Sequence, residues 1–295
     1  MLVLVSFSFY FMINVGKIWL DGKITTIEDS KVSILTHTIH YGTSIFEGCR
    51  AYNGKIFKMK EHNVRFIRSG EICDIPVPYS MEELENAINQ VLEVNNYKDA
   101  YVRPVAWMDD AFLSVNTMKN KVHVAIMAWE WPSYYGEDKI KKGITLGKSK
   151  WVRPDPRSVP IEAKAGGYYY VGAIIYNNAE REGFDDTLLV DWRGFVTECS
   201  SSNVFFIEKD GTICTPIADA FLNGITRQTV IEMLKKAGYE VEERRVLPQE
   251  IPSFKEAFVT GTAAEITPIG EIWGVKYTPD ECLKIREMYS KLVRE

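Results

Sequence analysis

Hydrophobic and polar residues alternate in short runs along the first part of the chain, a pattern typical of β-strands. Two of these runs, IWLDGKI and CRAYNGKIFKM, contain the turn dipeptides Asp21-Gly22 and Asn53-Gly54. Such dipeptides favour the two-residue turns of β-hairpins because they tolerate positive φ angles. The pattern therefore predicts an antiparallel sheet with two hairpins.

Two helices are predicted between these strands. KEHNVRFIRSGEIC places Val64, Ile67 and Ile72 near one helical face. SMEELENAINQVLEVNN begins with Ser80 as N-cap and Glu83 as its capping-box partner. A strand pair, YVRPVAWM and KVHVAIMAWEW, follows, and together these elements predict an α/β domain.

The segment PSYYGEDKIKKG contains proline, glycine and charges without a sustained apolar period. It predicts an interdomain loop over residues 132–142, between a smaller domain at 1–131 and a larger one at 143–295. In the second half, KGITLGKSKWV and DDTLLVDWRGFVTE have strand patterns, whereas YYYVGAIIYNNAEREG and TRQTVIEMLKKAGYE have helical ones.

Composition narrows the class of protein. The chain has 295 residues, 46% of them hydrophobic, which is enough for the cores of one or two domains. The formal net charge is −5 and no block of lysine and arginine is dense, so we expect no nucleic-acid partner. The five cysteines are scattered without a C-x-x-C pair, which favours a reducing cytoplasm over a disulfide framework or a zinc site.

The first residues, MLVLVSFSFYFM, are apolar but shorter than the roughly twenty residues that a membrane-spanning helix needs. They lack a basic leading region and a small-residue cleavage site, so they do not predict a signal peptide. Two interpretations of residues 1–12 stay open: a mis-assigned translation start before Met12, or a buried or partner-covered extension. No membrane partner is expected.

Lys164 lies among small residues in IEAKAGGYYY, before a predicted helix. Such a lysine can be desolvated, which favours the neutral amine that forms a Schiff base with an aldehyde cofactor. Alone this signal is weak, because most lysines beside glycines lie in solvated loops. Glu198 in GFVTECSSSN can keep a pyridinium nitrogen protonated, or can be an ordinary exposed strand glutamate.

Two segments suit a phosphate group. NGITRQ opens a helix, so its first backbone N–H groups and the Thr226 hydroxyl can face an anion, and GTAAEITP offers a second turn of small residues. Arg65 in KEHNVRF can add a bidentate guanidinium pair. Helix capping and an exposed helix arginine are the structural alternatives. No metal site is predicted, since the four histidines are separated in predicted structure.

Six segments occur together in one order: HYGTSIFEGCRAY, KEHNVRF, YVRP, AKAGGYYY, NGITRQ and GTAAEITP. They closely resemble the fold-type IV pyridoxal-phosphate-dependent aminotransferases, and among these the branched-chain-amino-acid aminotransferases, over about Ile18 to Gly270. The resemblance implies an α/β (α+β) fold with a small α/β N-terminal domain and a larger pseudo-barrel C-terminal domain. It also implies pyridoxal 5′-phosphate as the cofactor, bound between the two.

The resemblance implies roles for individual residues. Lys164 would be the Schiff-base lysine and proton carrier, Glu198 the partner of the pyridine nitrogen, and Tyr169 the partner of the cofactor's phenolic oxygen. Phosphate contacts are implied for Arg65, Ile225, Thr226 and Thr262. Further cofactor contacts are implied for Ser201, Ser202, Asn203, Leu222 and Gly224.

On the substrate side, the resemblance implies that Tyr41 and Phe46 line an apolar side-chain pocket. Substrate carboxylates would be steered by Tyr101, Arg103, Thr262 and Ala263. Arg103 is the candidate for the second carboxylate of glutamate. Tyr41 and the loop MDDAFLSVN would come from a neighbouring subunit, so the resemblance implies a homodimer or larger homo-oligomer with shared active sites.

The implied reaction is a ping-pong transamination between L-leucine, L-isoleucine or L-valine and 2-oxoglutarate. Two departures, CSSSNVFF after Glu198 and MDDAFLSVN, border the pocket and leave the substrate range open. D-amino-acid aminotransferase, (R)-amine transaminase and aminodeoxychorismate lyase share the lysine, glutamate and phosphate residues. YVRP, HYGTSIFEG and GTAAEITP favour the branched-chain group. A non-enzymatic cofactor-binding protein is the alternative of another class; loss of Lys164 or Glu198 would indicate it, and both are present.

Overall fold

The computed structural model describes residues 14–131 and 134–295. The prediction on residues 1–12 lies outside the described residues. Within them the chain forms two β-sheets, one built from strands that precede residue 130 and the other from strands that follow residue 143. No helix of the described residues has both the length and the apolar composition to cross a membrane.

The first sheet has the strand order β2-β1-β7-β6-β4-β5, with β3 also paired to β6, and all its pairs are antiparallel. Both predicted hairpins are confirmed: Asp21, Gly22, Asn53 and Gly54 all have positive φ angles. The strands are β1 (Ile18–Leu20), β2 (Lys23–Thr25), β3 (Ser44–Phe46), β4 (Cys49–Tyr52), β5 (Lys55–Ile56), β6 (Ala100–Met108) and β7 (Val122–Trp129).

Three helices accompany this sheet: α1 (His37–Tyr41), α2 (Met59–Ile72) and α3 (Met81–Val94). The apolar face of α3 packs with the strands in one hydrophobic core. The predicted capping box of α3 is confirmed, because Glu83 N donates to Ser80 Oγ and Ser80 N donates to the Glu83 carboxylate.

The predicted inner face of α2 is partly wrong. Val64 is exposed, whereas Phe66 and Ser69 are buried and Ile67 is partly buried against the core. The buried side of α2 mixes apolar and polar residues because it faces both the core and a polar cleft. The spacing of apolar residues alone therefore predicts the wrong buried side for this helix.

The segment that the sequence predicts as an interdomain loop contains a short helix, α4 (Gly136–Lys142). Its first turn carries Glu137 and Asp138 and its last turn carries lysines, which complements the helix dipole. The helix packs against the second sheet, and Gly143 ends it with a positive φ where an added Cβ would clash with the backbone of Gly270.

The second sheet has the order β12-β11-β10-β13-β14-β8-β9, with β15 on β14. Val196 forms isolated bridges with Val190 and Val246, which lie just beyond the edge strands β9 and β12. The sheet thus closes on itself, as a pseudo-barrel requires. Its strands are β8 (Ile144–Lys148), β9 (Asp186–Leu188), β10 (Asn203–Ile207), β11 (Ile213–Pro216), β12 (Val241–Arg244), β13 (Glu256–Gly261), β14 (Glu265–Ile272) and β15 (Val275–Lys276).

The helices of this half are α5 (Gly166–Arg181), α6 (Ile225–Lys236) and α7 (Glu281–Leu292), with a 3-10 helix at Pro248–Ser253. The predicted helices of YYYVGAIIYNNAEREG and TRQTVIEMLKKAGYE are confirmed as α5 and α6. Side chains of α6 and α7 pack in one core with residues of β10, β11, β13 and β14.

Glu256 caps helix α7 from strand β13. Its buried carboxylate accepts hydrogen bonds from the backbone N–H groups of Asp280, Glu281 and Cys282 at 2.9, 3.0 and 3.1 Å. Burial raises the pKa of this carboxyl, but the three N–H donors more than offset that effect and the net pKa is lowered. The ionised form is therefore the form that stabilises the fold.

We expect Glu256→Gln to lower the free energy of unfolding by about 1–3 kcal/mol at neutral pH, measured by urea denaturation. Because the folded-state pKa is lowered, the contribution of Glu256 is complete above the ordinary pKa near 4.5 and is lost as pH falls through the folded pKa. The variant should therefore approach wild type in acid. Glu287→Gln, on the exposed side of α7, is the control and should stay within about 0.5 kcal/mol; an equal loss in both variants contradicts the prediction.

Candidate active site

A cavity of about 260 Å³ lies between α2 of the first half and the second sheet. All the residues that the resemblance assigns to the cofactor line this cavity. They are Arg65, Lys164, Tyr169, Glu198, Ser201, Ser202, Asn203, Leu222, Gly224, Ile225, Thr226 and Thr262. The structure thus brings together residues from α2, α5, α6, β10 and the connecting turns, while their individual roles stay predictions.

Lys164 is fixed between the two halves of the chain. Its backbone N–H donates to Ser69 Oγ at 3.0 Å, and its carbonyl accepts from the Phe46 N–H at 3.0 Å. The side chain crosses the cavity, where Nζ lies 2.8 Å from the Tyr169 hydroxyl and 4.8 Å from the centre of the Phe46 ring. An amine in this position has one polar partner and an aromatic wall, so it can reach a bound electrophile.

The glycine pair after Lys164 allows this close approach. An added Cβ on Gly166 would clash with Ser44 Oγ, and one on Gly167 would lie 3.1 Å from the Gly42 carbonyl oxygen. Only glycines let the start of α5 pack so tightly against the segment around β3. This packing places Lys164 and Tyr169 beside Phe46, whose ring meets that of Tyr169 edge to face at 4.6 Å.

Glu198 is a buried acid that lines the same cavity. Its Oε2 accepts from Asn203 Nδ2 at 3.1 Å, and its Oε1 lies 2.9 Å from Arg153 Nε. The Arg153 N–H does not point along that line, so the contact is an ion pair and not a hydrogen bond. Burial raises the pKa of Glu198 to about 7, against the lowering effects of Arg153 and Lys164. Glu198 is therefore a stronger base than an ordinary carboxylate, and it lines the cavity.

Arg153 is a site residue that sequence reasoning missed. Besides Glu198, it binds the carbonyl oxygens of Cys199 and Ser200 at 3.1 and 3.0 Å and so fixes the CSSSN segment. Asp186, also missed, accepts from the Ser200 N–H, and burial raises its pKa to about 6. Arg153 lies in an irregular loop, so no periodic pattern marked it.

The start of α6 presents hydrogen-bond donors at the cavity. Its N-cap is Gly224, which supplies no side-chain cap, so the backbone N–H groups of the first turn have no side-chain acceptor. An added Cβ on Gly224 would clash with Asn203 Oδ1, so a capping side chain cannot be introduced there. Ser202 Oγ and Thr260 Oγ1 are buried at the same cavity without hydrogen-bond partners among the described residues. Donors without acceptors fit a ligand with many acceptor oxygens, such as a phosphate ester.

Arg65 reaches the cavity from α2 and is held by Glu47, which sequence reasoning missed. Arg65 Nε and one terminal nitrogen donate to the two Glu47 oxygens at 2.6 and 2.8 Å, and His62 Nδ1 lies 2.8 Å from the same carboxylate. Burial raises the pKa of Glu47, but Arg65 and His62 more than offset this and keep it well below the usual range. Cys49 lies within 4.8 Å of both Glu47 and His62. Because the carboxylate already binds Arg65, we assign this cluster to arginine placement and not to a metal.

The residues implied for substrate binding divide into two groups. Phe46 contacts Lys164, and the Arg103 guanidinium lies 4.6 Å from the Phe46 ring and donates to the Tyr101 hydroxyl at 3.0 Å. Arg103 Nε is buried without a partner among the described residues. Phe46, Tyr101 and Arg103 thus form a connected wall that runs from Lys164. Of the residues implied for substrate binding, Thr262 lines the cavity itself, whereas Phe46, Tyr101, Arg103 and Ala263 do not.

Tyr41 belongs to the second group. It is about half exposed, stacks on His37 at 4.5 Å, and does not line the cavity of its own chain. Sequence reasoning also missed aromatic residues that continue the Tyr101 wall: Trp129, Trp131 and Tyr134 lie in successive ring contacts of 5.0–5.7 Å. Their clustering comes from the tertiary packing of β6 against β7 and the segment after it.

Comparison with known proteins decides the family. The pattern of the family described as amino-transferase class IV matches residues 44–272. The chain belongs to the class IV aminotransferases. The predicted family and fold class are therefore confirmed.

Individual relatives agree with this assignment. The chain is 37% identical to the branched-chain-amino-acid aminotransferase of Pseudomonas aeruginosa, over 88% of this chain and 86% of the relative. It is 35% identical to that of Escherichia coli K12, over 90% and 87%. A crystal structure of the T.th. branched-chain amino acid aminotransferase with pyridoxamine 5′-phosphate superposes with a TM-score of 0.92, at 39% identity and 96% coverage of both chains. The likeness of this class IV aminotransferase to these proteins thus spans both of its halves.

Proposed function

We propose that this class IV aminotransferase is a pyridoxal-phosphate-dependent branched-chain amino acid transaminase. It would convert L-leucine, L-isoleucine or L-valine and 2-oxoglutarate into the branched 2-keto acid and L-glutamate. The observation that carries the proposal is one cavity that joins the Lys164 amine, the buried Glu198 carboxylate and the open start of α6. The names of the relatives, which match over most of the chain, support the substrate class.

The residues around the cavity have separable tasks. Bound pyridoxal phosphate supplies an aldehyde for amino-group exchange and a ring that accepts the electron pair from the substrate Cα. Lys164 holds the cofactor and, when its amine is free, moves a proton at that Cα. Glu198 keeps the ring nitrogen protonated, with its second oxygen fixed by Asn203. Tyr169 orients the phenolic side of the ring.

The phosphate would be bound by the Arg65 guanidinium and by the backbone and hydroxyl groups of Ile225, Thr226 and Thr262. Arg65 arrives preoriented because Glu47 binds two of its nitrogens. The α6 N-terminus adds a favourable dipole for an anion. These groups would hold the phosphate at one place in the cavity while the Lys164 amine and the Glu198 carboxylate act on the ring.

The proposed substrate site lies against Phe46, on the side of Arg103 and Tyr101. Phe46 offers an apolar surface for a branched side chain, and Arg103 offers a partly buried cation whose Nε is buried without a partner among the described residues and can receive a carboxylate. The Thr262–Ala263 turn would receive the other carboxylate. One site can thus accept both leucine and glutamate, because apolar and cationic groups lie side by side.

We further propose that the active chain is a homodimer or larger homo-oligomer. The segments 27–41 and 112–118 expose many large apolar residues, and they are tied together by His37, whose ring Nε2 lies 2.5 Å from Ser114 O. Exposed apolar surface of this extent is typical of an interface. A second copy covering it would bring Tyr41 and MDDAFLSVN towards a neighbouring cavity.

Domain division and location complete the proposal. We propose a domain boundary within residues 132–142, because the strands on either side of this segment belong to different sheets.

A cytoplasmic location is supported by the five cysteines, which are all free.

The test is an absorption spectrum of the purified holoprotein before and after L-leucine and then 2-oxoglutarate. We expect a visible band that L-leucine bleaches and 2-oxoglutarate restores. A band that L-leucine leaves unchanged but that D-alanine or an (R)-amine bleaches would assign the chain to another activity of the same family. Absence of any band after loading with pyridoxal phosphate would refute the cofactor assignment.

A further inference from the structure

The turn between β13 and β14 is closed by a residue in an unfavourable backbone conformation. Gly261 and Glu265 face each other in the strand register and enclose a three-residue loop, 262–264. Loops of this length usually place a glycine in the left-handed position that follows the turn. Here that position belongs to Glu265, with φ of 51°. A non-glycine residue stays in such a conformation only when its surroundings hold it there.

The Glu265 carboxylate has partners from distant elements. The Tyr52 hydroxyl donates to it at 2.7 Å, and the Arg50 and Arg286 guanidinium groups lie 3.8 and 3.6 Å from its two oxygens. Tyr52 and Arg50 belong to β4 of the first sheet, whereas Arg286 belongs to α7. Burial raises the pKa of Tyr52 strongly, so this hydroxyl stays protonated and remains a donor. Glu265 therefore links the turn to both halves of the chain.

Arg50 also holds the tip of the turn directly. One of its terminal nitrogens donates to the Ala263 carbonyl at 3.5 Å, and the other donates to the Trp131 carbonyl at 3.4 Å. A small cavity behind the turn is lined by Arg50, Tyr52, Thr226 and Thr262, among others. The charged network thus lies directly behind the residues proposed to receive the substrate carboxylate and the phosphate.

We propose that Glu265 is a positioning residue: with Arg50 and Tyr52 it fixes the Thr262–Ala263 turn in the conformation that receives the substrate carboxylate. The side chain does not line the main cavity, so it acts through the turn. A glutamate replaces the expected glycine because its carboxylate does what glycine cannot do, namely tie the turn to the first sheet. This inference rests on the proposed transaminase function.

The test separates backbone strain from the carboxylate contacts. Glu265→Gly relieves the left-handed strain but leaves the buried Tyr52 hydroxyl without its acceptor, so we expect the two effects on the melting temperature to oppose each other while carboxylate binding weakens. The apparent Kd of the holoprotein for 4-methylvaleric acid, a branched carboxylic acid without an amino group, should rise about tenfold or more. The KM for L-leucine should rise in parallel while kcat changes by less than about threefold.

Asp74→Gly is the matched control, because Asp74 also has a positive φ but is exposed and does not line the cavity. It should relieve the same kind of backbone strain and leave 4-methylvaleric acid binding unchanged. Arg50→Met should weaken binding in the same direction as Glu265→Gly. If Glu265→Gly does not fold, Glu265→Gln decides, with weaker binding at unchanged melting temperature supporting the proposal.

Wild-type affinity for 4-methylvaleric acid in whichever Glu265 variant folds would overturn the inference, as would an equal weakening in Asp74→Gly. Failure of the proposed function is distinguishable from this result. In that case the wild-type holoprotein itself would not bleach with L-leucine, before any variant is compared.

Discussion

Lys164→Ala should nearly abolish transamination, with kcat for L-leucine reduced by about 10⁴-fold. Lys164 supplies the amine that carries the cofactor and moves the proton at Cα, and no other lysine lines the cavity among the described residues. The variant should also lack the visible absorption band of lysine-bound pyridoxal phosphate. Stopped-flow absorbance with L-leucine and a steady-state assay of L-glutamate production measure both effects.

The control for this prediction is Lys150→Ala, which removes an exposed lysine from the loop that leads to the site. We expect wild-type turnover and a wild-type absorption band in that protein. Both variants should retain the wild-type melting temperature without cofactor, because the Lys164 amine makes its one side-chain hydrogen bond to Tyr169. A Lys164→Ala protein that keeps the band and turns over L-leucine would refute the assignment of this lysine.

Glu198→Gln should lower kcat by about 10²- to 10³-fold, the effect expected when one charge-stabilising group is lost from an enclosed site. Glutamine keeps the size of the side chain but cannot hold the ring nitrogen protonated. Binding of pyridoxal phosphate should weaken much less than turnover, because the phosphate contacts at Arg65 and α6 are unchanged. Cofactor titration followed by absorbance separates the two effects.

The cofactor-free protein offers an independent check on Glu198. Its folded-state pKa is raised to about 7, so the stabilisation from its bound proton is fully present below about pH 4.5 and is lost as pH rises through 7. Between about pH 4.5 and 7, the free energy of unfolding of the wild type should therefore fall by up to about 3 kcal/mol relative to that of Glu198→Gln. Burial also raises the pKa of Asp186, to about 6, and the charge of Asp186 raises that of Glu198, so the difference between the two proteins reports Glu198 together with its coupling to Asp186. The free energy of unfolding of each protein is measured by urea denaturation across pH 4–9. The same pH dependence in wild type and Glu198→Gln would contradict this prediction.

Much of the local structure was predictable from short-range patterns. The Asp21-Gly22 and Asn53-Gly54 turns and the Ser80 capping box are encoded by a few adjacent residues, and all three form as predicted. The predictions that failed depended on distant parts of the chain. Val64 is exposed because the buried side of α2 faces a polar cleft as well as the core. The helix α4 was missed because its stability comes from packing on β14 and from its terminal charges.

In the candidate site, too, the features encoded by adjacent residues were predicted and those that depend on distant residues were not. Lys164, Glu198 and the start of α6 were recognised because each lies in a motif whose residues are contiguous. Arg153 was not, since it acts on Glu198, which is far away in the sequence, and a buried arginine and an exposed one look alike in an irregular loop. Glu47 lies within the motif HYGTSIFEGCRAY, but its role was missed because only the fold brings Arg65 to it.

The sequence by itself determined the elements, the family resemblance and the identity of the chemical groups, because hydrophobic period, turn dipeptides and motifs are properties of neighbouring residues. The tertiary structure alone decided which groups meet: it clamps Arg65 with Glu47, buries Glu198 enough to raise its pKa, and leaves Tyr41 on an apolar surface outside its own cavity. Distances and desolvation depend on packing between segments that are far apart along the chain. No pattern of adjacent residues specifies them.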